Sequence, residues 1–171
     1  MKDEFLIHRT LHSLKSTLEK QNNIMKILDT TGQLYDTSCT FYDSATENDI
    51  QLLEHNIGKQ LPLDYRHFLK ICNGCSLFDM LDYGGENQLY SFEKILLYHE
   101  TNLDFPDKLA IGYILGDSIL IDLNKTTTNT GNYLHRTVVG QPPSESTPFN
   151  SNFETWLTRF IVAQGNKYWE W

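Results

Sequence analysis

Cysteine is scarce in this chain. The three cysteines, Cys39, Cys72 and Cys75, form an odd count with no scaffold spacing, which favours a reducing compartment over a disulfide-stapled secreted fold. Stability must then come from burial. A single domain of 171 residues is long enough for that, since it hides roughly two thirds of the surface its unfolded chain exposes. Long apolar runs are missing as well. No stretch approaches the roughly 20 residues of a membrane span, and the opening MKDEFLIHRT carries Asp3 and Glu4 before a very short apolar run, unlike a signal peptide. The expectation is a soluble cytoplasmic protein with no membrane partner.

Positive charge is the next shortage: 14 Lys and Arg stand against 22 Asp and Glu, a formal net charge of -8. The deficit is local. Residues 1–40 balance, with Lys2, Arg9, Lys15, Lys20 and Lys26 against Asp3, Glu4, Glu19, Asp29 and Asp36. Between Ser76 and Asp122, Asp79, Asp82, Glu86, Glu93, Glu100, Asp104, Asp107, Asp117 and Asp122 face only Lys94 and Lys108. Such a segment repels nucleic acid and steers basic partners, although charge of this kind also serves plain solubility.

Catalytic grammar is absent too. There is no G-x-S-x-G elbow, and Gly84-Gly85 is not followed by G-K-[ST]. His8 and His12 stand four residues apart without an H-E-x-x-H pattern and read as surface histidines. Cys72-Asn-Gly-Cys75 matches C-x-x-C, but redox pairs are activated at helix N-termini, and this one straddles an expected C-terminus, where the dipole disfavours thiolate. It is also too small a ligand set for structural zinc. The expected arrangement is one packed cysteine and one loop cysteine. No catalytic, cofactor or metal-binding residue is assigned.

What the chain does contain is helical and strand periodicity. Ile7, Leu11, Leu14 and Leu18 predict an amphipathic helix over residues 3–20, docked on the domain or, alternatively, serving a partner or an oligomer. Residues 22–27 are ambiguous, Thr31-Gly32 breaks the pattern, and residues 33–42 alternate as one or two strands. Residues 49–74 organise the rest. Ile50, Leu53 and Ile57 mark one helix, started by overlapping cap signals near Thr46. A Leu61-Pro62 corner then leads into a second helix bearing Asp64, Tyr65, Phe68, Leu69 and Cys72, which stops at Asn73-Gly74.

Beyond Gly74 the period shortens. Residues 76–80 and 88–90 read as short strands around a Gly84-Gly85 turn, and Ser91 can cap a helix across Phe92, Ile95, Leu96 and His99. Residues 109–115 and 118–123 form a hairpin about Gly116-Asp117. A polar loop, 124–132, expected to be mobile, precedes a strand at 133–139 and a linker-like loop at 141–148. The final helix carries Phe153, Trp156, Leu157, Phe160 and Ile161, with Ser151 and Glu154 as a capping box and Gly165 as a stop. The aromatic ending, Tyr168 to Trp171, is expected to close a core rather than fray.

Ile50 to Gly74, with Glu54 and Gly58 ahead of Leu61-Pro62, Asp64-Tyr65, Phe68-Leu69 and Asn73-Gly74, resembles the SUKH superfamily, the Smi/Knr-type domain. Ile111-Gly112, Gly116-Asp117 before residues 119–122, and the tryptophan-bearing last helix also fit; the stretch after Ser76 lacks the tryptophan pattern of some members. The resemblance covers about residues 38–164 and implies an α+β domain with a central, mostly antiparallel sheet flanked by helices, carrying no catalytic residues. Residues 1–37 are then an N-terminal helical extension, and 38–171 the domain.

The resemblance further implies an immunity protein that binds and neutralises a cognate polymorphic toxin, a basic nuclease-like protein, in the producing cell. The alternative is an intracellular scaffold or regulator of cell-wall synthesis or signalling, as in fungal relatives. Charge placement, not the family, nominates the binding residues: Asp79, Asp82, Tyr83 and Glu86 after the helix pair, and Asp117 at the hairpin tip, with Tyr83 as the aromatic anchor. The chain is expected to be a monomer or weak dimer that binds no nucleic acid.

Overall fold

Eight strands pair in chain order, each antiparallel to the next, in a computed structural model describing residues 5–101, 104–126 and 131–171. The sheet runs β1 (Met25–Leu28), β2 (Leu34–Phe41), β3 (Cys75–Met80), β4 (Asn87–Leu89), β5 (Lys108–Ile114), β6 (Asp117–Asp122), β7 (Leu134–Val138) and β8 (Thr147–Pro148). Five helices accompany it: α1 (Leu6–Lys20), α2 (Glu47–Ile57), α3 (Leu63–Ile71), α4 (Phe92–Thr101) and α5 (Phe153–Val162). The chain is therefore an α+β domain with an added N-terminal helix. Residues 3 and 4 of the expected first helix, and residues 127–130 of the expected mobile loop, lie outside the described residues.

The helix pair forms for the reasons its sequence suggests. Thr46 caps α2 by accepting from the Asp49 N–H at 3.2 Å, while the Asp49 carboxylate accepts from the Thr46 N–H at 2.8 Å. The Thr46 hydroxyl, 2.7 Å from the same carboxylate, and then the Thr46 N–H hold the Asp49 carboxyl below its usual range. Pro62 sits one position earlier than the first helical turn, as the N-cap of α3. Gly74 lies beyond the end of α3 in a left-handed conformation (φ +89°), and a Cβ there would meet the backbone of Leu89, Tyr90 and Ser91 at 2.7–2.8 Å. Glycine is needed because two chain segments touch at this point.

Leu53, Phe68, Leu69, Leu77, Ile111, Ile119, Ile121, Phe153, Trp156 and Phe160 are all at most 1% exposed and belong to one continuous core. Burying each such side chain contributes about 1.5–3 kcal/mol. The α1 face of Ile7, Leu11, Leu14 and Leu18 enters the same core and packs on α5 and α3. The opposite sheet face runs through Ser76, Gln88, Tyr113, Ser118 and Thr137 on five neighbouring strands.

Four expectations need correction. The ambiguous stretch contains β1, an edge strand too short to show a period. Cys75 is not a loop cysteine: it opens β3 and, like Cys72, is fully buried. The α5 cap is Asn152, whose Oδ1 accepts from the Thr155 N–H at 2.9 Å, while Ser151 is buried and donates to the Asn152 carbonyl. Glu154 instead accepts the Ile7 N–H at 3.1 Å, capping the neighbouring α1. Finally, the linker-like loop holds a 3-10 turn (Pro143–Glu145) and β8.

Where α3, β7 and α5 meet, Asp64 is a buried junction. Its carboxylate accepts from the Tyr133 hydroxyl, from the Tyr65 N–H at 3.0 Å and from the Glu154 N–H at 2.9 Å. Burial and the Asp64 charge push the Tyr133 hydroxyl far above its ordinary range, so it stays a proton donor.

Candidate functional site

In an antiparallel meander, alternate connections fall at the same end of the sheet. The β1–β2, β3–β4, β5–β6 and β7–β8 turns therefore share one end, and the connections carrying α2–α3 and α4 take the other. Main-chain bonds tie three of these turns to one another and the first of the three to β2. Leu81 donates to the Asp36 carbonyl (3.1 Å), Leu115 to that of Glu86 (3.0 Å) and Val139 to that of Gly116 (2.9 Å). The β3–β4, β5–β6 and β7–β8 turns form one connected rim.

The β3–β4 turn is the most prominent part of it. Met80 and Gly84 exchange backbone bonds at 3.0 and 2.8 Å, which closes the loop. Asp79 is half-buried and receives the Ser76 hydroxyl on both oxygens at 2.6 Å. It faces inward, and a Cβ at Gly85 would lie 2.9 Å from its Cα. Leu81, Asp82, Tyr83 and Glu86 are exposed, Tyr83 at 83%. Of the nominated residues, Asp82, Tyr83 and Glu86 thus share an accessible tip, with Asp79 as its brace.

Asp117 departs from expectation. The β5–β6 turn is Leu115-Gly116, both with positive φ (+45° and +88°), and Asp117 begins β6 at 1% exposure. Its carboxylate binds Arg136 at 3.1 Å, Lys167 at 3.3 Å and the Trp169 indole N–H at 3.2 Å. Trp169 in turn lies against Phe149, Trp156 and Phe160. The aromatic ending closes the core at this point, whereas Trp171 is 77% exposed.

Other acids between Ser76 and Asp122 are also neutralised. Asp107 binds Lys59 at 2.9 Å, a contact that holds its carboxyl below the usual range. Asp122 binds Lys108 at 2.8 Å and lies 3.6 Å from His135 Nε2. Burial pulls the Asp122 carboxyl upward, but Lys108, the Asn124 N–H and His135 together outweigh it and the net direction is down. Lys125 Nζ lies 3.0 Å from His135 Nε2, so that nitrogen accepts and Nδ1 carries the proton towards Ser146 Oγ at 3.3 Å. Burial, then Lys108 and Lys125, pull this imidazole down to about 4. The segment's charge is therefore dispersed: its exposed acids are Asp82 and Glu86 at the β3–β4 tip and Glu93, Glu100 and Asp104 along and just after α4.

Among the described residues no group of three or more His, Cys, Asp or Glu side chains is placed to hold a metal. A cavity of about 1110 Å³ lies beside the α2–α3 corner, but the cations lining it are engaged: Lys59 with Asp107 and Asn124, Arg66 with Glu54 and Glu47, and Lys125 with His135 and Asp122. Burial raises the Cys39 thiol to about 11, and the contact with Cys72, then burial, pushes Cys75 well up, so neither is a ready nucleophile. Among the described residues no helix is long and apolar enough to cross a membrane.

Residues 44–159 match the sequence profile of the SMI1 / KNR4 family (SUKH-1). The chain belongs to that family. The SUKH-1 match spans α2 to most of α5, leaving α1, β1, β2 and the Trp169 turn outside it. Two Bacillus subtilis (strain 168) proteins are similar. YobM, named as an uncharacterized protein, is 35% identical over 173 residues, covering 96% of this chain and 91% of its own. YnaB, similarly named, is 32% identical over 136 residues, covering 79% and 89%. Similarity to YobM thus extends across most of this chain, well beyond the SUKH-1 match.

The rim also contains residues that sequence reading passed over: Leu81, Leu115 and Val139, all exposed. Leu115 and Val139 read as the ends of apolar strand runs, and Leu81 directly follows one. Only the turn positions reveal that they project.

Proposed function

We propose that this SUKH-1 protein is an immunity protein that binds a cognate polymorphic toxin domain, a basic nuclease, and neutralises it in the cytoplasm of the producing cell. The observation carrying the proposal is the exposed Asp82-Tyr83-Glu86 tip, where two carboxylates without an ion pair among the described residues flank an aromatic ring. Nucleases present cations to phosphates. An acidic tip docking there accelerates encounter and penalises acidic competitors, and a tyrosine supplies contact area at little entropic cost. The action is occlusion, with no chemical step by this chain.

The test is to mix the purified chain with the purified toxin domain from the neighbouring reading frame and titrate toxin activity. The expected result is inhibition complete near one equivalent, and Asp82→Lys with Glu86→Lys slows association and flattens its salt dependence. Full toxin activity in excess chain refutes the reading and favours a scaffold or regulator role.

A further inference from the structure

The acidic tip is only one part of the exposed rim. Leu81 (51% exposed), Leu115 (42%) and Val139 (58%) occupy three successive turns, joined through the Glu86 and Gly116 carbonyls. Tyr83 rises from the first of them. Leu115 is the anomaly: both central residues of its two-residue turn have positive φ, the geometry of a type I′ hairpin, which strongly prefers Asn-Gly. A leucine at φ +45° is conformationally costly, and its side chain gains little burial in return. Local strain held at an exposed position points towards function rather than folding.

Both free edges of the sheet are blunted. At β1, the outward N–H of Leu28 donates to Gln164 Oε1 at 3.2 Å, and the Leu28 carbonyl accepts from Asn166 Nδ2 at 3.2 Å. At β8, Pro148 has no N–H to offer. Strand addition is therefore disfavoured, and a partner has the side-chain surface of the rim. Charge there is one-sided. Lys26 is bound to Asp36 at 2.7 Å, and Arg136 and Lys167 are held by Asp117 and Glu170, while Asp82 and Glu86 have no ion pair among the described residues.

We infer that Leu115 and Val139, with Leu81 and Tyr83, form the apolar centre of a docking surface for a folded basic protein domain, with Asp82 and Glu86 as its acidic border. This rests on the toxin-binding reading and deepens it by dividing the work: the carboxylates set the rate of encounter, and the apolar turn residues set the lifetime of the complex. The partner must then carry an apolar patch between its cations.

Leu115→Asn provides a test that unfolding cannot confuse, because Asn-Gly is the preferred sequence for this turn. Thermal melting of the full chain and binding kinetics to the toxin domain from the neighbouring reading frame are measured for wild type, Leu115→Asn and Val139→Ser. Leu115→Asn is expected to melt no lower than wild type yet to dissociate about tenfold faster or more, with its salt-dependent association unchanged. Val139→Ser should act in the same direction. Wild-type binding with unaltered dissociation of both variants overturns the apolar centre while leaving the toxin-binding reading intact. No binding by the wild type overturns both.

Discussion

The carboxylate of Asp117 and the indole N–H of Trp169 meet at 3.2 Å, joining the start of a central strand to the chain's last turn. Arg136 and Lys167 complete the contact, so one buried charge answers two cations and an aromatic donor. Asp117→Ala leaves the Trp169 N–H without its acceptor and the two cations with Glu170 alone. The expected loss is about 1–3 kcal/mol, read as a lower chemical-denaturation midpoint. Asp82→Lys, on the exposed tip, should change stability by no more than about 0.5 kcal/mol.

Tyr133 offers a second check on the buried polar framework. Tyr133→Phe removes the donor to Asp64 and leaves the Phe153 N–H, now bound to the Tyr133 hydroxyl at 3.0 Å, without its acceptor. The cost should be about 1–3 kcal/mol, seen as a lower melting temperature, with faster amide exchange at the start of α5.

Gly74 tests the contact between the helix pair and the sheet. Gly74→Ala combines a left-handed backbone with a Cβ 2.7 Å from the Leu89 carbonyl oxygen. Its destabilisation should exceed the roughly 1 kcal/mol cost of left-handed alanine alone, because main chain has to move. A melting temperature equal to that of wild type would count against the close approach.

His135 sets an acid limit. In the folded protein its pKa lies at about 4, below the ordinary value of 6.5. Between those values the unfolded chain binds the extra proton, so stability is fully present above pH 6.5 and falls as the pH drops towards 4. The loss attributable to this group is at most about 3 kcal/mol. His135→Gln should flatten the stability profile over this window, whereas the lowered carboxyls of Asp49 and Asp122 contribute stability lost at more acid pH, as the pH falls through the ordinary carboxylate range.

Local pattern made α2, α3, α5 and the central hairpin legible, since each has several regularly spaced apolar residues and a cap or turn signal. It could not reveal β1, whose four residues become a strand only by pairing with β2. Nor could it place Asp117. That residue sits beside a turn glycine and resembles a tip residue, but Arg136 and Lys167, 19 and 50 positions away, draw it inside. Cys75 was misplaced for a related reason: β3 begins immediately after Gly74, leaving no loop for it to occupy. The acidic tip itself was legible, because Asp82, Tyr83 and Glu86 are close in sequence on either side of Gly84-Gly85. The apolar rim was not, because it joins turns far apart along the chain.

Survival under co-expression tests the central claim most directly. Cells expressing the proposed toxin partner are grown with wild-type chain, with Asp82→Lys plus Glu86→Lys, or with none. Growth restored by the wild-type chain and reduced by the tip variant at equal folded abundance is the predicted result. Continued killing with the wild-type chain present and folded would contradict it.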